Sequence, residues 1–308
     1  MAKKVSIVIP VYNEEQNIDF IAKEILAVLE KLNYTFELIF IDDGSRDSTL
    51  EKIQLLSQKH SNIFNIELTK NFGHQNALKA GYDYATGDCI ISMDGDMQHP
   101  PELIGLMLTQ WENGYDIVST QRTYPAATSI FKKSGSNLFY KIINALSDTK
   151  IEKGSSDFRL IDRQVANTLK NLTENSIFMR GLINWLGFKS TKIAFNANQR
   201  HAGISKYPFK KMLKFAITGI TAFSVKPLYM AVYLGFVFST LSLFYIPYVI
   251  YAHYQGEDVA GWASVIVTIV FFGGLQLIIL GIIGIYIGKL FIQSKQRPNY
   301  IVRTTNIQ

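Results

Sequence analysis

Asp94, Asp96 and Gln98 stand at alternate positions of Met93-Asp-Gly-Asp-Met-Gln-His99, directly after the apolar run Cys89–Met93. On an extended chain alternate residues share a face, so two carboxylates and an amide oxygen would point the same way. Three oxygen donors of this kind suit a hard cation such as Mg²⁺ or Mn²⁺, with positions left open for diphosphate oxygens. An Asp-Gly pair alone is mostly turn chemistry; here it has company. Pro10, Tyr12, Asn13 and Glu14 follow the run Val5–Ile9, and Asp42-Asp43-Gly44-Ser45 follows Phe36–Ile41. Lys70-Asn71 follows Ile63–Leu68, and Arg122 follows Ile117–Thr120. Acids gathered at successive strand ends repel one another unless a cation or hydrogen-bond donors offset them. The glycine signatures G-x-x-x-x-G-K-[ST] and G-x-G-x-x-G are missing after these strands. A bound phosphate would therefore be neutralised by a metal and by basic side chains.

Those residues need a frame, and the periodicity supplies one. Strands are predicted at Val5–Ile9, Phe36–Ile41, Ile63–Leu68, Cys89–Met93 and Ile117–Thr120. Helices are predicted between them, at Ile18–Leu32, Ser48–Lys59, Gln75–Ala85 and Glu102–Trp111, the last opened by Pro100-Pro101. Strands alternating with helices of this length imply an α/β fold, a mostly parallel sheet with both faces covered. In such sheets the ligand lies beyond the carboxyl ends of the strands, where the polar groups above collect. Asp42 points away from Asp43 on an extended strand and is expected to cap the turn. His74 and His99 are expected as hydrogen-bonders at helix entries rather than ligands.

Of 308 residues 48% are hydrophobic and only 18% charged, against about 25% charged in soluble domains. The depletion is local. Residues 1–207 carry as many basic as acidic side chains, whereas beyond 207 the only acids are Glu257 and Asp258. The entire net charge of +6 therefore sits in the last third. That distribution opposes a nucleic-acid partner, which would want basic residues over a folded face. The high apolar fraction excludes disorder and the lone Cys89 excludes a disulfide scaffold. A single cysteine without a secretory signal fits a reducing compartment.

No charged side chain occurs from Leu228 to Tyr251 or from Val259 to Gly288. About 20 helical residues cross a hydrocarbon core of roughly 30 Å, so two transmembrane helices are expected, at about 228–251 and 263–288. Tyr229, Tyr233, Tyr245, Tyr248, Tyr251, Tyr254 and Trp262 lie towards their ends, as interfacial aromatics do. Lys210, Lys211, Lys214 and Lys226 precede the pair and Lys289, Lys295, Arg297 and Arg303 follow it, which places both ends in the cytoplasm. Phe209, Met212, Leu213, Ala216, Ile217 and Ile220 recur at helical spacing with lysines on another face, predicting an amphipathic helix in the headgroup plane over 208–226. The division expected is a cytoplasmic domain at 1–207, this juxtamembrane helix, the spans within 227–292 and a cytoplasmic tail at 293–308. Gly281, Gly284 and Gly288 permit close helix approach, within the pair or in a homo-oligomer.

The segments IVIPVYNEEQNI, IDDGSRDST, NFGHQNALKAG, MDGDMQHPPE, GSSDFRL and RHAGISKY together resemble a family 2 inverting glycosyltransferase of the dolichyl-phosphate mannose synthase-like group. With two C-terminal spans the chain is similar to the bacterial polyprenyl-phosphate (bactoprenol) glucosyltransferases. The resemblance covers nearly the whole chain. It implies a GT-A type nucleotide-sugar-binding domain and transfer of a hexose, expected to be glucose from UDP-glucose, to undecaprenyl phosphate with inversion. Pro10, Tyr12 and Glu14 would cradle base and ribose, with Asp43 at the second strand end. Asp94 would meet nucleotide and metal, and Asp96 and Gln98 would complete a Mg²⁺ or Mn²⁺ site. Arg122, Arg200 and Lys206 would contact diphosphate or acceptor phosphate, and Asp157 would lie near the acceptor. Since a phosphate monoester is mostly dianionic at pH 7, Asp157 is expected to position more than to deprotonate. A processive polysaccharide synthase would want more spans and a Q-x-x-R-W motif, which the sequence lacks. A membrane scaffold or channel subunit, the non-enzymatic alternative, leaves the acidic strand ends without a purpose.

Overall fold

The pleat of the central strands sends Ile7, Ile9, Leu38, Phe40 and Ile91 to one side and Val8, Ile39, Ile41 and Ile90 to the other, all fully buried. Strands apolar on both faces need cover on both faces. Helices α1 (Ile18–Leu29), α2 (Thr49–Lys59) and α4 (Leu103–Glu112) cover the first through Ile21, Ile25, Ile53, Ile104 and Met107. Helices α3 (His74–Tyr84), α5 (Arg163–Lys170) and α6 (Met179–Trp185) cover the second through Ala77, Leu78, Val165, Leu169, Met179 and Ile183. The computed structural model describes residues 3–123, 155–174, 178–196, 221, 224–255 and 261–307.

Among the described residues the sheet has eight strands in the order β7-β5-β6-β4-β1-β2-β3-β8. β1 (Lys4–Val11), β2 (Thr35–Asp42), β3 (Ile63–Leu68) and β4 (Cys89–Ser92) pair in parallel, and β5 (Ile117–Thr123) pairs in parallel with β7 (Ser190–Asn196). The five strands and four helices read from periodicity are all present within a few residues. The mostly parallel sheet holds with a reversal that periodicity does not reveal: β6 (Ser155–Asp162) inserts antiparallel between β4 and β5. Because it runs backwards, its first residues lie beside the carboxyl end of β4, with Arg159 opposite Ser92.

Two glycines make close approaches possible. Gly44, at φ +70°, lies against the Lys70–Asn71 backbone, where an added Cβ would come within 2.6 Å of the Lys70 carbonyl carbon. Gly81 lets α3 settle on Val8 and Ile41. This second contact fixes the depth of α3, whose first turn supplies site residues.

Beyond residue 224 two long helices follow, α7 (Lys226–Tyr254) and α8 (Trp262–Ser294). They run antiparallel: Tyr286 Oη donates to the Ser224 carbonyl at 2.7 Å, and Phe238 meets Phe271 and Phe272 edge-on. Among the described residues one helical stretch, Val265–Ser294, is long and apolar enough to cross a membrane, and none of its most apolar part is buried. The expected pair of spans is thus matched at one of its two positions. Among the described residues, an added Cβ at Gly281, Gly284 or Gly288 would meet nothing within 4 Å. The headgroup helix and the Glu257–Asp258 loop lie outside the described residues, apart from the end of the former. The tail, read from sequence only as a tail, instead contributes β8 (Val302–Thr305), antiparallel to β3 at the sheet edge.

The amino ends of the strands are tied together by one buried carboxylate. Buried Glu37 accepts from Ser6 Oγ at 2.5 Å, Thr86 N at 2.6 Å and Thr86 Oγ1 at 2.9 Å, and pairs with Lys4 Nζ at 2.7 Å. Burial works against its charge, yet the bonds from Lys4, Ser6 and Thr86 prevail and hold the carboxyl below its usual pKa. Glu37→Ala strands several buried donors and is expected to destabilise the fold by about 2–4 kcal/mol. The check is the thermal midpoint of the detergent-solubilised chain. A depressed folded pKa contributes fully above the unfolded value, about 4.3, so the gap between wild type and variant narrows as pH falls below that.

Candidate active site

Parallel strands align their carboxyl ends, and there Asp43, Asp94 and Asp157 gather from β2, β4 and β6. Asp157 is the most deeply held, with its side chain almost wholly buried. By the pleat it shares a face with Arg159 and Ile161, the face that α3 and α6 cover. The Arg180 guanidinium, in the first turn of α6, grips it through two bonds, Nε to Oδ1 at 2.9 Å and Nη2 to Oδ2 at 2.8 Å. Arg159 Nη2 adds a bond to Oδ1 at 3.2 Å and Gln75 Nε2 one to Oδ2 at 3.3 Å. His74 Nε2 stands 3.4 Å from Oδ2. Burial favours the neutral acid, but Arg180, the His74 hydrogen bond and Arg159 outweigh it and hold the carboxyl well below the usual carboxylate range. Asp157 is therefore ionised, doubly clamped and a weak base.

Asp94 lies between two histidines that reach it from opposite faces of the sheet. His99 Nδ1 accepts the Asp94 backbone N–H at 3.0 Å, which puts the ring proton on Nε2. That nitrogen lies 2.8 Å from Ser156 Oγ and 3.5 Å from Asp94 Oδ2. The ring stacks on Phe158, and burial pushes its pKa down despite the charges of Asp94 and Asp96. His74 Nε2 lies 3.5 Å from Asp94 Oδ1; burial lowers its pKa, but Asp157 and Asp94 raise it further, above the ordinary value. Both histidines are hydrogen-bonders at helix entries, as the sequence suggested, and each also orders an acid.

The alternation expected of Asp94, Asp96 and Gln98 does not occur. β4 ends at Ser92 and the chain turns at once, with Met97 in the left-handed region at φ 63°. Asp-Gly-Asp prefers this turn to an extended run: Asp96 Oδ1 accepts from Gln98 N at 3.2 Å. Gln98 Oε1 accepts from Arg122 Nη2 at 2.5 Å, so two predicted residues meet, though with each other. Among the described residues no group of three or more His, Cys, Asp or Glu side chains is placed to hold a metal. What fits a cation is Asp94 Oδ1, a buried carboxylate oxygen without a hydrogen-bond partner. Mg²⁺ commonly takes one or two carboxylates and completes its shell with substrate phosphates, and Asp94 would supply one such carboxylate.

Pro10 is buried and Tyr12 is 40% exposed at the end of β1. Glu14 Oε2 accepts from Asn17 Nδ2 at 2.5 Å, and its backbone N–H reaches Thr49 Oγ1 at 2.9 Å, which ties this loop to α2. Asp43 spends both oxygens on backbone donors, Phe72 N at 2.7 Å and Gly73 N at 2.9 Å, and so braces the start of α3. Asp42 caps the turn through Ser45 N, as its orientation predicted. Arg200 and Lys206 lie outside the described residues. Sequence reasoning missed Arg180, Gln75 and Ser156, which become site residues only through tertiary contact. Arg159, two positions from Asp157 on one face, reaches it, whereas Arg163 turns away to the carbonyls of Ala85 and Gly87.

The motifs of this edge fall within one stretch of recognisable sequence. The model of the family described as Glycosyl transferase family 2 matches residues 6–170. The chain belongs to that family. An uncharacterized glycosyltransferase of Bacillus subtilis, YkcC, is 41% identical over 97% of this chain and 93% of its own length. The bactoprenol glucosyl transferase of Shigella phage SfV is 38% identical over 97% of this chain and 98% of its own. A solved glucosyl-3-phosphoglycerate synthase from Mycobacterium tuberculosis, in complex with Mn²⁺, UDP-glucose and phosphoglyceric acid, is 14% identical at a TM-score of 0.45 over 71% of this chain and 78% of that one. The protein is a family 2 glycosyltransferase, an enzyme with full-length relatives named for glucosyl transfer to bactoprenol.

The clamp on Asp157 generates a prediction. Arg180→Ala leaves Asp157 with Arg159 and His74, so stability falls by only about 1–2 kcal/mol for an Arg that is a third exposed. Glycosyl transfer is expected to fall about tenfold or more. Arg180→Lys, which keeps the charge and loses the fork, should recover the thermal midpoint but only part of the rate.

Proposed function

We propose that the protein transfers glucose from UDP-glucose to undecaprenyl phosphate with inversion, at the membrane surface. The observation that carries this is the end-to-end likeness to a bactoprenol glucosyl transferase, too complete to omit either the acidic edge or the apolar helix. In the reaction the bond from the sugar's anomeric carbon to the diphosphate breaks. A new bond forms from that carbon to an oxygen of the acceptor phosphate, and the nucleoside diphosphate departs.

In this reading Pro10, Tyr12, Glu14 and Asp43 line the base and ribose, and Asp94, Asp96 and Gln98 hold Mg²⁺ or Mn²⁺. When bound, the cation supplies positive charge opposite the negative charge that grows on the departing diphosphate. For Gln98 to take part it must leave Arg122, which frees that guanidinium for the diphosphate. Arg200 and Lys206 are assigned to the acceptor phosphate. That acceptor is dianionic and needs no base, which suits an Asp157 with both oxygens already held; its work is to fix Arg180, His74 and Gln75 around the reacting phosphate. The multi-pass anchor, with α7 as first span and the domain of residues 1–207 on the cytoplasmic side, is supported by the uncharged run Leu228–Tyr251 and the lysines flanking the helix pair.

Full-length protein in liposomes with undecaprenyl phosphate is expected to make lipid-linked glucose from UDP-glucose. UDP-galactose, UDP-N-acetylglucosamine and GDP-mannose should give little product, and EDTA should abolish transfer until Mg²⁺ or Mn²⁺ is restored. Donor hydrolysis indifferent to both metal and acceptor would overturn the reading. Asp157→Asn is expected to raise the acceptor KM and lower kcat about tenfold or more; complete loss of transfer with both substrates bound normally would instead make Asp157 the base.

A further inference from the structure

α8 does not end free. Gln293 Nε2, in its last turn, donates to the Thr173 carbonyl at 2.9 Å, and Asn299 Nδ2 donates to the Glu174 carbonyl at 3.0 Å. Tyr300 Oη donates to Asp83 Oδ2 at 2.8 Å, the carboxylate that also holds Lys79 on α3. The Ile301 carbonyl then accepts from Thr69 N at 3.0 Å, and β8 begins. Arg303 Nη1 and Thr304 Oγ1 each bond Glu67 at 2.9 Å, and Asn306 Oδ1 accepts from Asn65 N at 2.8 Å. After the apolar helix the chain is therefore stitched to the loop after α5, to α3 and to β3.

The direction of this stitching carries information. Val302 pairs with Leu68 at the carboxyl end of β3, and Thr305 pairs with Ile66 further back. The chain arriving from α8 therefore meets the sheet at the edge that holds Asp43, Asp94 and Asp157. A parallel β8 would have brought it to the opposite edge. Seven residues separate Ser294 from Val302, eight steps with a reach of at most about 29 Å, and the bonds of Asn299 and Tyr300 shorten it. Lys295 and Arg297 lie in this connection, placed to meet anionic headgroups.

We propose that residues 293–306 form a strap that turns the acidic edge of the sheet towards the lipid surface and holds it there. A domain on one tether samples many orientations; a second tether restricts them, and the lipid phosphate meets the site more often. The strap rests on α8 crossing the membrane and on the acidic edge being the site of transfer. It adds a positioning role for Tyr300, Arg303 and Thr304, which touch no reacting group.

The test places a fluorophore at either end of β3, on Asn71→Cys beside the acidic edge and on Ser61→Cys at the far edge. Both positions are exposed, and Cys89 is buried and does not compete. The six residues of β3 span about 20 Å, enough to separate the two labels in depth. In liposomes carrying nitroxide-headgroup lipid, the Asn71 label is expected to be quenched at least twice as strongly as the Ser61 label. A twelve-residue Gly-Ser insertion between Gln296 and Arg297 leaves α8 and β8 intact and should bring the two labels close to equal. The same insertion should cut transfer to undecaprenyl phosphate in liposomes about tenfold and spare transfer to a short soluble prenyl phosphate in detergent. Equal quenching without the insertion, or a difference that survives it, would overturn the strap. Quenching reads no turnover, so it decides the strap even where the proposed sugar or acceptor proves wrong.

Discussion

Burying the carboxylate of Asp157 at the end of a strand beside Asp94 is costly unless positive charge is buried with it, and the site is built around meeting that demand. β6 must run backwards to deliver Asp157 to this edge. Arg159 must follow two residues later on the same face, and α6 must approach closely enough for Arg180 to grip both oxygens. α3 must sit deep enough, through Gly81, for His74 and Gln75 to reach. Gln75 Oε1 accepts from Met179 N at 3.0 Å, which locks α3 to α6 around the acid. Remove the carboxylate and two guanidiniums lose the group that orders them.

The contrast between the two edges of the sheet follows from this. At the amino edge Glu37 meets a full set of donors, and the result is structural. At the carboxyl edge Asp94 keeps an oxygen without a hydrogen bond, and Asn13 and Met97 hold left-handed backbone conformations in the loops after β1 and β4. Such conformations cost of order 1–3 kcal/mol each and persist where the surroundings enforce them. One edge has its charge fully met by the fold, and the other keeps an unmet acceptor and strained backbone.

How much of this was legible in the sequence depended on what each residue obeys. Strands β1 to β5 and the helices between them follow from apolar periodicity because both faces of the sheet are buried. Asp42 and Asp43 could be told apart because neighbours on a strand point to opposite faces. Asp94, Asp96 and Gln98 were expected on one face of an extended run and lie instead in a turn, since local turn chemistry overrode the strand at Gly95. Arg180 and Ser156 were invisible because what makes them site residues is a contact across the fold. β6 and β8 were missed because an inserted reversed strand and a returning tail break the rule that successive strands lie in sequence order.

The returning tail also bears on how the protein is made. Asn65 and Asn306 are bonded across 241 residues, and everything between them, including α8, leaves the ribosome before they can meet. Until then β3 is an open strand edge, able to pair with another chain. Synthesis of α8 and closure of the sheet are thus ordered in time, and the glycosyltransferase domain is sealed only after that apolar helix has been made.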